Sequence, residues 1–421
     1  MSTRLSKGGR LINRSKPVEF SFDGKRLNGY EGDTLASALL ANNQTLVGRS
    51  FKYHRPRGIV ASGPEEPNAL VGLGKGDKFE PNQRATTTEL FDGLHSNSQN
   101  AWPSLEFDIG GVNRIMSRVF PAGFYYKTFI FPRFAWKHIF EPIIRKAAGL
   151  GAAPTEKDAD KYEYFYAHVD VLIIGGGTSG LAAALEVGRS GAKVLVLEQK
   201  NTWGGRAPVD GVFIDNQISE EWIDDAITEL QSMPNVTLKN RTMGAGVYDH
   251  GWATGYESIT DHMPGKKGPR QRLWRIRAKR ILTTTGAIER PLSFAGNDLP
   301  GVMLAGSVRD YLVDFGTSCG DIMVLATNND DAYRTAIKQS EVGLKVAAIL
   351  DARTSVTGEL PNKAREMGIR VETGMAISKV KGSKSVSGVS ICLQAGEGVP
   401  LEEIKCDILF RQGFKGNDEF P

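Results

Sequence analysis

The sequence predicts an α/β protein with parallel sheets, and three observations carry that prediction. The buried-strand run Val169-Asp-Val-Leu-Ile-Ile174 leads into a glycine-rich turn, a helix and a second strand; further apolar strand candidates alternate with helical stretches downstream; and a small sheet-plus-helix pattern precedes both. At 421 residues the chain is long enough for more than one domain. Hydrophobic residues at 40% and charged residues at 24% match ordinary globular usage, so neither a disordered nor a fibrous chain is expected. A net charge of +4 spread over this length does not point to nucleic acid. The three cysteines, Cys319, Cys392 and Cys406, form no Cys-x-x-Cys, which disfavours a disulfide framework, a zinc ribbon or a dithiol relay. A reducing, cytoplasmic compartment is expected, and no apolar run predicts a secretion signal or a membrane span.

In chain order, residues 17–31 alternate apolar and polar around Asp23-Gly24, a hairpin signal. Asp33 or Thr34 then caps a helical run, Leu35–Ala41. Residues 48–76, rich in Gly, Pro and Arg, read mostly as loop. From Arg114 to Lys146 the aromatics Phe120, Phe124, Tyr125, Tyr126, Phe129, Phe131, Phe134, Trp136 and Phe140 are interleaved with Lys and Arg, and Glu141 is the single acid. Such interleaving suits stacked bases or a membrane surface. Without a clean helical stripe or a nucleic-acid motif, it reads instead as a connector packed on its own domains or on a partner subunit. After a linker at Gly149–Asp160, strands are expected at Val169–Ile174, Lys193–Glu198, Leu273–Thr285, Asp321–Ala326, Lys345–Leu350, Arg370–Thr373 and Glu402–Phe410. The expected divisions are a small module at 15–100, a connector at 101–165, a first dinucleotide-binding domain at 166–300 with 395–421 returning to it, and a second domain at 301–394.

The chemistry concentrates at Gly175-Gly-Gly-Thr-Ser-Gly180, a G-x-G-x-x-G turn between strand and helix. Gly175 permits the tight turn, Gly177 lets backbone approach a pyrophosphate, and Gly180 lets helix and strand pack closely, while the helix N-terminus offers N–H groups to the anion. The next strand ends in Glu198, whose carboxylate can accept both hydroxyls of an adenosine ribose and would repel the extra phosphate of NADP. The cofactor-binding candidates are Gly175, Gly176, Gly177, Thr178, Ser179, Gly180, Glu198, Gly205, Arg206, Thr285 and Gly286. NAD is the expected cofactor and FAD the alternative; no metal site is expected. No catalytic residue is named: His54 and His138 have no acid partner evident in sequence and read as structural, and Arg49, Arg55 and Arg57 suit a phosphate, a partner interface or a solvated loop equally.

The segment Arg280-Ile-Leu-Thr-Thr-Thr-Gly-Ala-Ile-Glu-Arg-Pro291 resembles the Thr-Gly segment of two-dinucleotide-domain flavoproteins, the group that includes thioredoxin reductase. That resemblance implies a second Rossmann-like domain whose strand is Asp321–Ala326. The turn after it, Thr327-Asn-Asn-Asp-Asp-Ala-Tyr-Arg334, has no glycine, and Asp330 and Asp331 would repel a pyrophosphate, so this second site is expected to be lost. Cys319 lacks a nearby partner thiol, which excludes thioredoxin reductase chemistry.

Together, Glu31-Gly-Asp-Thr-Leu-Ala-Ser-Ala-Leu-Leu40, Arg49-Ser-Phe-Lys-Tyr-His-Arg-Pro-Arg-Gly58, Glu65-Glu-Pro-Asn-Ala69, the Gly175–Gly180 turn and Thr327-Asn-Asn-Asp resemble the alpha subunit of heterotetrameric sarcosine oxidase. Subunits of other amine-oxidising enzymes, such as hydrogen cyanide synthase, share only part of this set. The resemblance implies a ferredoxin-like (β-grasp) N-terminal domain without a cluster, and no cysteine precedes Cys319 to ligate iron. It further implies NAD at the first site, with sarcosine oxidised at FAD in the beta subunit, FMN near the alpha–beta boundary, oxygen reduced to peroxide, and beta, gamma and delta subunits as partners. Nucleic acid and membrane are not expected partners. The family continues after Phe410 with a Gly-Gly turn and a folate-binding, aminomethyltransferase-like domain, whereas Arg411–Pro421 is polar and unlike it. A truncated or frame-shifted alpha subunit, with its cofactor site open on one side, is therefore expected. The rival readings are a subunit of another amine or imino-acid dehydrogenase and a non-catalytic scaffold.

Overall fold

The computed structural model describes residues 2–115, 131–147, 151–396 and 398–413. The aromatics Phe120, Phe124, Tyr125, Tyr126 and Phe129 lie outside the described residues, as do residues 414–421. The chain forms two compact units, residues 159–288 and the combination of 1–158 with 289–421.

In the larger unit the hairpin forms where Asp23 (φ 47°) and Gly24 (φ 78°) both take the positive φ that a tight two-residue turn demands. It joins Asn13–Phe22 to Lys25–Glu31 in a five-stranded sheet completed by Leu94–Asn97, Leu70–Leu73 and Glu80–Arg84. Helix Leu35–Ala41 starts on a reciprocal cap: Thr34 Oγ1 accepts the Ser37 N–H at 3.1 Å, and Ser37 Oγ accepts the Thr34 N–H at 3.0 Å. Every residue of this helix is buried, and Leu35 and Leu39 pack with Phe20 and Phe22. Burying each such side chain is worth about 1.5–3 kcal/mol. The loop after it is organised by Glu66, whose buried carboxylate accepts N–H groups of Val60, Ala61, Asn68 and Ala69 at 2.7–3.1 Å. Burial pushes its pKa up, and the four N–H donors oppose that shift.

The same unit carries a parallel sheet in the order Val302–Leu304, Ile408–Gln412, Ile322–Thr327, Lys345–Asp351, Val371–Thr373, followed by an antiparallel trio, Met375–Gly382, Val386–Leu393 and Glu402–Ile404. Residues 395–421 therefore do not return to the first dinucleotide domain among the described residues. Ile408, Leu409 and Phe410 are fully buried, and their strand pairs in parallel with Val302–Leu304 on one side and Ile322–Thr327 on the other. The expected single strand Glu402–Phe410 is two strands in two sheets.

The smaller unit is a six-stranded sheet in the order Val236–Lys239, Val194–Leu197, Tyr162–Ile174, Gln271–Thr283, Trp252–Ser258, Thr242–Tyr248. The first four strands are parallel and the last two add an antiparallel meander. Helices Thr178–Arg189 and Ser219–Ser232 bury Leu181, Ala184, Ile223 and Leu230 against one face. This places the glycine turn at the carboxyl end of a central strand, where open α/β sheets bind ligands.

Candidate dinucleotide site

Each glycine of the turn answers a separate steric demand. Gly175 holds φ +110° and donates its N–H to the Leu197 carbonyl at 2.8 Å; a Cβ there would collide with the Thr284 carbonyl. A Cβ on Gly180 would strike the Gly175 carbonyl oxygen, so only glycine lets the helix close on the turn. Gly176 lies against the Trp203 ring. Gly177 differs: at φ −70° it is unstrained, and a Cβ on it would meet no protein atom nearer than the Gly205 Cα at 3.9 Å. Its missing side chain leaves open space, which is what the approach of a pyrophosphate requires.

Gly177 is also the N-cap of helix Thr178–Arg189 and supplies no side-chain acceptor, and no acid stands in the first turn. The N–H groups of Thr178, Ser179 and Gly180 have no intrahelical partner and face the positive end of the helix dipole. Thr178 is half-buried and Ser179 exposed.

Glu198, 7% exposed, is held at both carboxylate oxygens: Oε2 accepts the Gly176 N–H at 2.7 Å and Oε1 the Lys200 N–H at 2.8 Å. Each oxygen retains a second lone pair able to accept a hydroxyl. Gly204 donates its N–H to the Gly176 carbonyl at 2.8 Å, and Gly204 (φ +94°) with Gly205 (φ +61°) bends the chain back across the turn. Arg206 follows and lies 3.3 Å from Asp210.

Thr285 and Gly286 stand apart from this cluster. Both are exposed, and a Cβ on Gly286 would find nothing within 4 Å. The neighbouring Thr284 makes the contact instead: its Oγ1 donates to the Gly175 carbonyl at 2.8 Å and its N–H to the Ile174 carbonyl at 2.8 Å. Trp203, Gly204 and Thr284 were missed in the sequence; the run Thr283-Thr284-Thr285 marked the place but not the register.

The second turn, at Thr327–Arg334, is filled by its own side chains. Arg309, fully buried, donates to both Asp331 carboxylate oxygens at 3.0 and 3.2 Å and to the Asp331 carbonyl at 3.0 Å, and Gln412 Nε2 reaches Asp331 at 3.0 Å. Arg353 bridges Asp330 and Asp351 at 2.7 Å each, and the Tyr333 hydroxyl donates to Asp351 at 2.8 Å.

Outside these turns, His54 does have an acid partner: its Nδ1 lies 2.6 Å from Asp108, a carboxylate far along the chain and almost fully buried. Arg49 bonds the Leu105 and His54 carbonyls, and Arg55 and Arg57 both pair with Asp298. Burial works against the Asp298 carboxylate, yet the two guanidiniums outweigh it and hold its pKa below the usual range. His138 is exposed. No group of three or more His, Cys, Asp or Glu suited to a metal occurs among the described residues, and no described helix is long and apolar enough to cross a membrane.

Two families match parts of this architecture: the 2Fe-2S iron-sulfur cluster binding domain at residues 15–101 and the FAD-dependent oxidoreductases at residues 170–253. Over 414 residues, 98% of the chain, the sequence is 47% identical to sarcosine oxidase subunit alpha of Rhizobium meliloti (strain 1021). The chain is a relative of sarcosine oxidase alpha subunits. A second such subunit, from Corynebacterium sp. (strain P-1), is 34% identical over 93% of the chain. This alpha-subunit relative spans 41% and 36% of the two proteins' lengths. Its fold matches L-proline dehydrogenase from P. horikoshii with a TM-score of 0.59 at 20% identity, covering 98% of this chain and 62% of that one. The N-terminal module is thus of the ferredoxin type, but with no cysteine among residues 1–318 it has no thiolate to hold a cluster.

Proposed function

We propose that this chain is the NAD-binding part of the alpha subunit of a sarcosine oxidase complex. The observation that carries the reading is the pairing of an open Gly177–Gly205 face with a Glu198 carboxylate already fixed by two backbone N–H groups. Gly175, Gly176, Gly177, Thr178, Ser179, Gly180, Gly205 and Arg206 hold the pyrophosphate side and Glu198 holds the adenosine ribose, while Thr284, in place of Thr285 and Gly286, braces the turn. A bound dinucleotide supplies redox capacity, which this chain's residues orient through the turn and the helix N-terminus. FAD is the alternative occupant, since both ligands share the adenosine diphosphate that these groups address. The second turn takes no dinucleotide, because it lacks glycine and sets Asp330 and Asp331, held by Arg353 and Arg309, at the start of its helix.

In the proposed complex, sarcosine is oxidatively demethylated to glycine in the flavin-bearing beta subunit, oxygen is reduced to hydrogen peroxide, and the one-carbon unit passes to tetrahydrofolate. FAD and FMN reside mainly with beta; gamma and delta complete the assembly in the cytoplasm. The test is co-expression with beta, gamma and delta, cofactor identification in each chain, and sarcosine-dependent peroxide production. Saturable NAD binding to the purified chain, weakened by Glu198→Ala, supports the reading; saturable FAD binding in its place moves the site to flavin. Absence of both makes the chain a scaffold, and peroxide from another amine but not sarcosine reassigns the substrate.

A further inference from the structure

The strands Tyr162–Ile174, Gln271–Thr283 and Trp252–Ser258 extend well away from the nucleotide turn, and their register sorts the side chains onto two faces. On one face Trp274, Ile276 and Ala253 are buried, and the partly exposed Phe165 packs on the Trp274 ring at a 5.5 Å centroid separation. Arg272 on that side is neutralised by Glu163 at 2.9 Å and Glu257 at 3.1 Å.

The other face is built differently. Tyr164 and Tyr166 stand 62% and 63% exposed, and Tyr256 is exposed on the same side. Arg275 lies 5.2 and 5.4 Å from the rings of Tyr164 and Tyr166, and Arg277 lies 5.1 Å from the Trp252 ring. Arg275 also donates to the Tyr166 hydroxyl at 2.6 Å and Arg277 to the His250 carbonyl at 2.9 Å. Neither guanidinium has a carboxylate partner among the described residues. By register, positions 164–168, 252–256 and 273–277 place no Asp, Glu or Lys on this face. Tyr, Trp and Arg without Asp, Glu or Lys is the composition of the buried centre of a protein interface. The ring contacts and the hydrogen bonds to the Tyr166 hydroxyl and the His250 carbonyl restrain each guanidinium, so less side-chain entropy is lost when a carboxylate docks.

We infer that this tyrosine–arginine sheet face is a docking surface for a carboxylate-bearing partner subunit. The inference rests on the proposed membership of a multi-subunit complex and goes beyond it by naming where, and through what chemistry, a partner is held. The two unneutralised guanidiniums supply the charge complementarity. Two cations and no lysine give too few phosphate contacts for a nucleic-acid groove.

The experiment compares backbone hydrogen exchange of the full chain alone and assembled with the beta, gamma and delta subunits of sarcosine oxidase from Rhizobium meliloti (strain 1021). The expected result is slowed exchange in residues 162–168, 252–258 and 271–277, with affinity falling as salt rises. Reversal by Arg275→Glu with Arg277→Glu weakens assembly about tenfold or more while NAD binding persists. Because the exchange readout uses the unaltered chain, misfolding of the variant does not blur the outcome. Assembly with this face unprotected overturns the inference and leaves the functional reading standing. Failure of the wild-type chain to assemble overturns both. Protection of the same strands by a single-stranded oligonucleotide without any subunit also overturns it.

Discussion

Between Ile174 and Thr178 the first dinucleotide-type region turns on three glycines, whereas between Thr327 and Ala332 the second turns on two asparagines and two aspartates. Both turns join a buried parallel strand to a helix, yet one has no acid at its helix N-terminus and the other carries Asp330 at the N-cap and Asp331 in the first turn. In the first, the acid at the end of the neighbouring strand, Glu198, is held by backbone N–H groups alone and keeps accepting capacity. In the second, Asp351 stands at the end of the strand beside the turn but is consumed by Arg353 and Tyr333. The difference teaches that a Rossmann-like turn stays receptive only while its polar groups are satisfied by backbone; once side chains of opposite charge close on each other, the same topology becomes a structural joint.

The largest expected effect breaks that joint. Asp331→Ala removes two charge-assisted hydrogen bonds from buried Arg309 and should cost about 2–3 kcal/mol, seen as a lower denaturant midpoint with dinucleotide binding to the folded protein intact. Gly180→Ala forces a methyl into the Gly175 carbonyl and should cost about 1–3 kcal/mol; a stability equal to wild type would show that the helix can withdraw from the turn. Gly177→Ala sharpens the contrast, since no protein atom opposes the methyl: thermal stability should stay within about 0.5 kcal/mol while dinucleotide affinity drops about tenfold by titration calorimetry. The smallest effect lies outside both turns. Asp298 has a folded pKa depressed by Arg57 and Arg55, so its stabilising contribution is present above the unfolded value of about 3.9 and is lost as pH falls through the lower folded value. Asp298→Asn should flatten the acid limb of a melting-temperature profile.

The glycine turn was legible because each demand on it is local: positive φ at Gly175, contact at Gly180 and open space at Gly177 all arise within one strand–turn–helix unit. The hairpin at Asp23-Gly24 and the Thr34 cap were legible for the same reason. What sequence could not show was partner choice over distance. Asp108 meets His54, and Arg309 meets Asp331, through folds of the chain that no spacing rule encodes. The strand Ile408–Gln412 reads equally well as belonging to either sheet, because a short apolar run carries no mark of its parallel neighbour. The slip from Thr284 to Thr285 has a similar origin: in an all-threonine run, the residue types cannot say which hydroxyl turns inward.

Residue 176 is clamped from both directions, its N–H held by the Glu198 carboxylate and its carbonyl by the Gly204 N–H. In the proposed site this makes one residue a mechanical relay between the ribose end and the phosphate end. Pulling Glu198 aside to admit a bulkier sugar would release the Gly176 amide and slacken the loop at Gly204, loosening the grip on the opposite end. Selectivity for the sugar and strength of anion capture are therefore geared together, and evolution of a new cofactor preference here would have to rebuild the hinge and the acceptor in a single move.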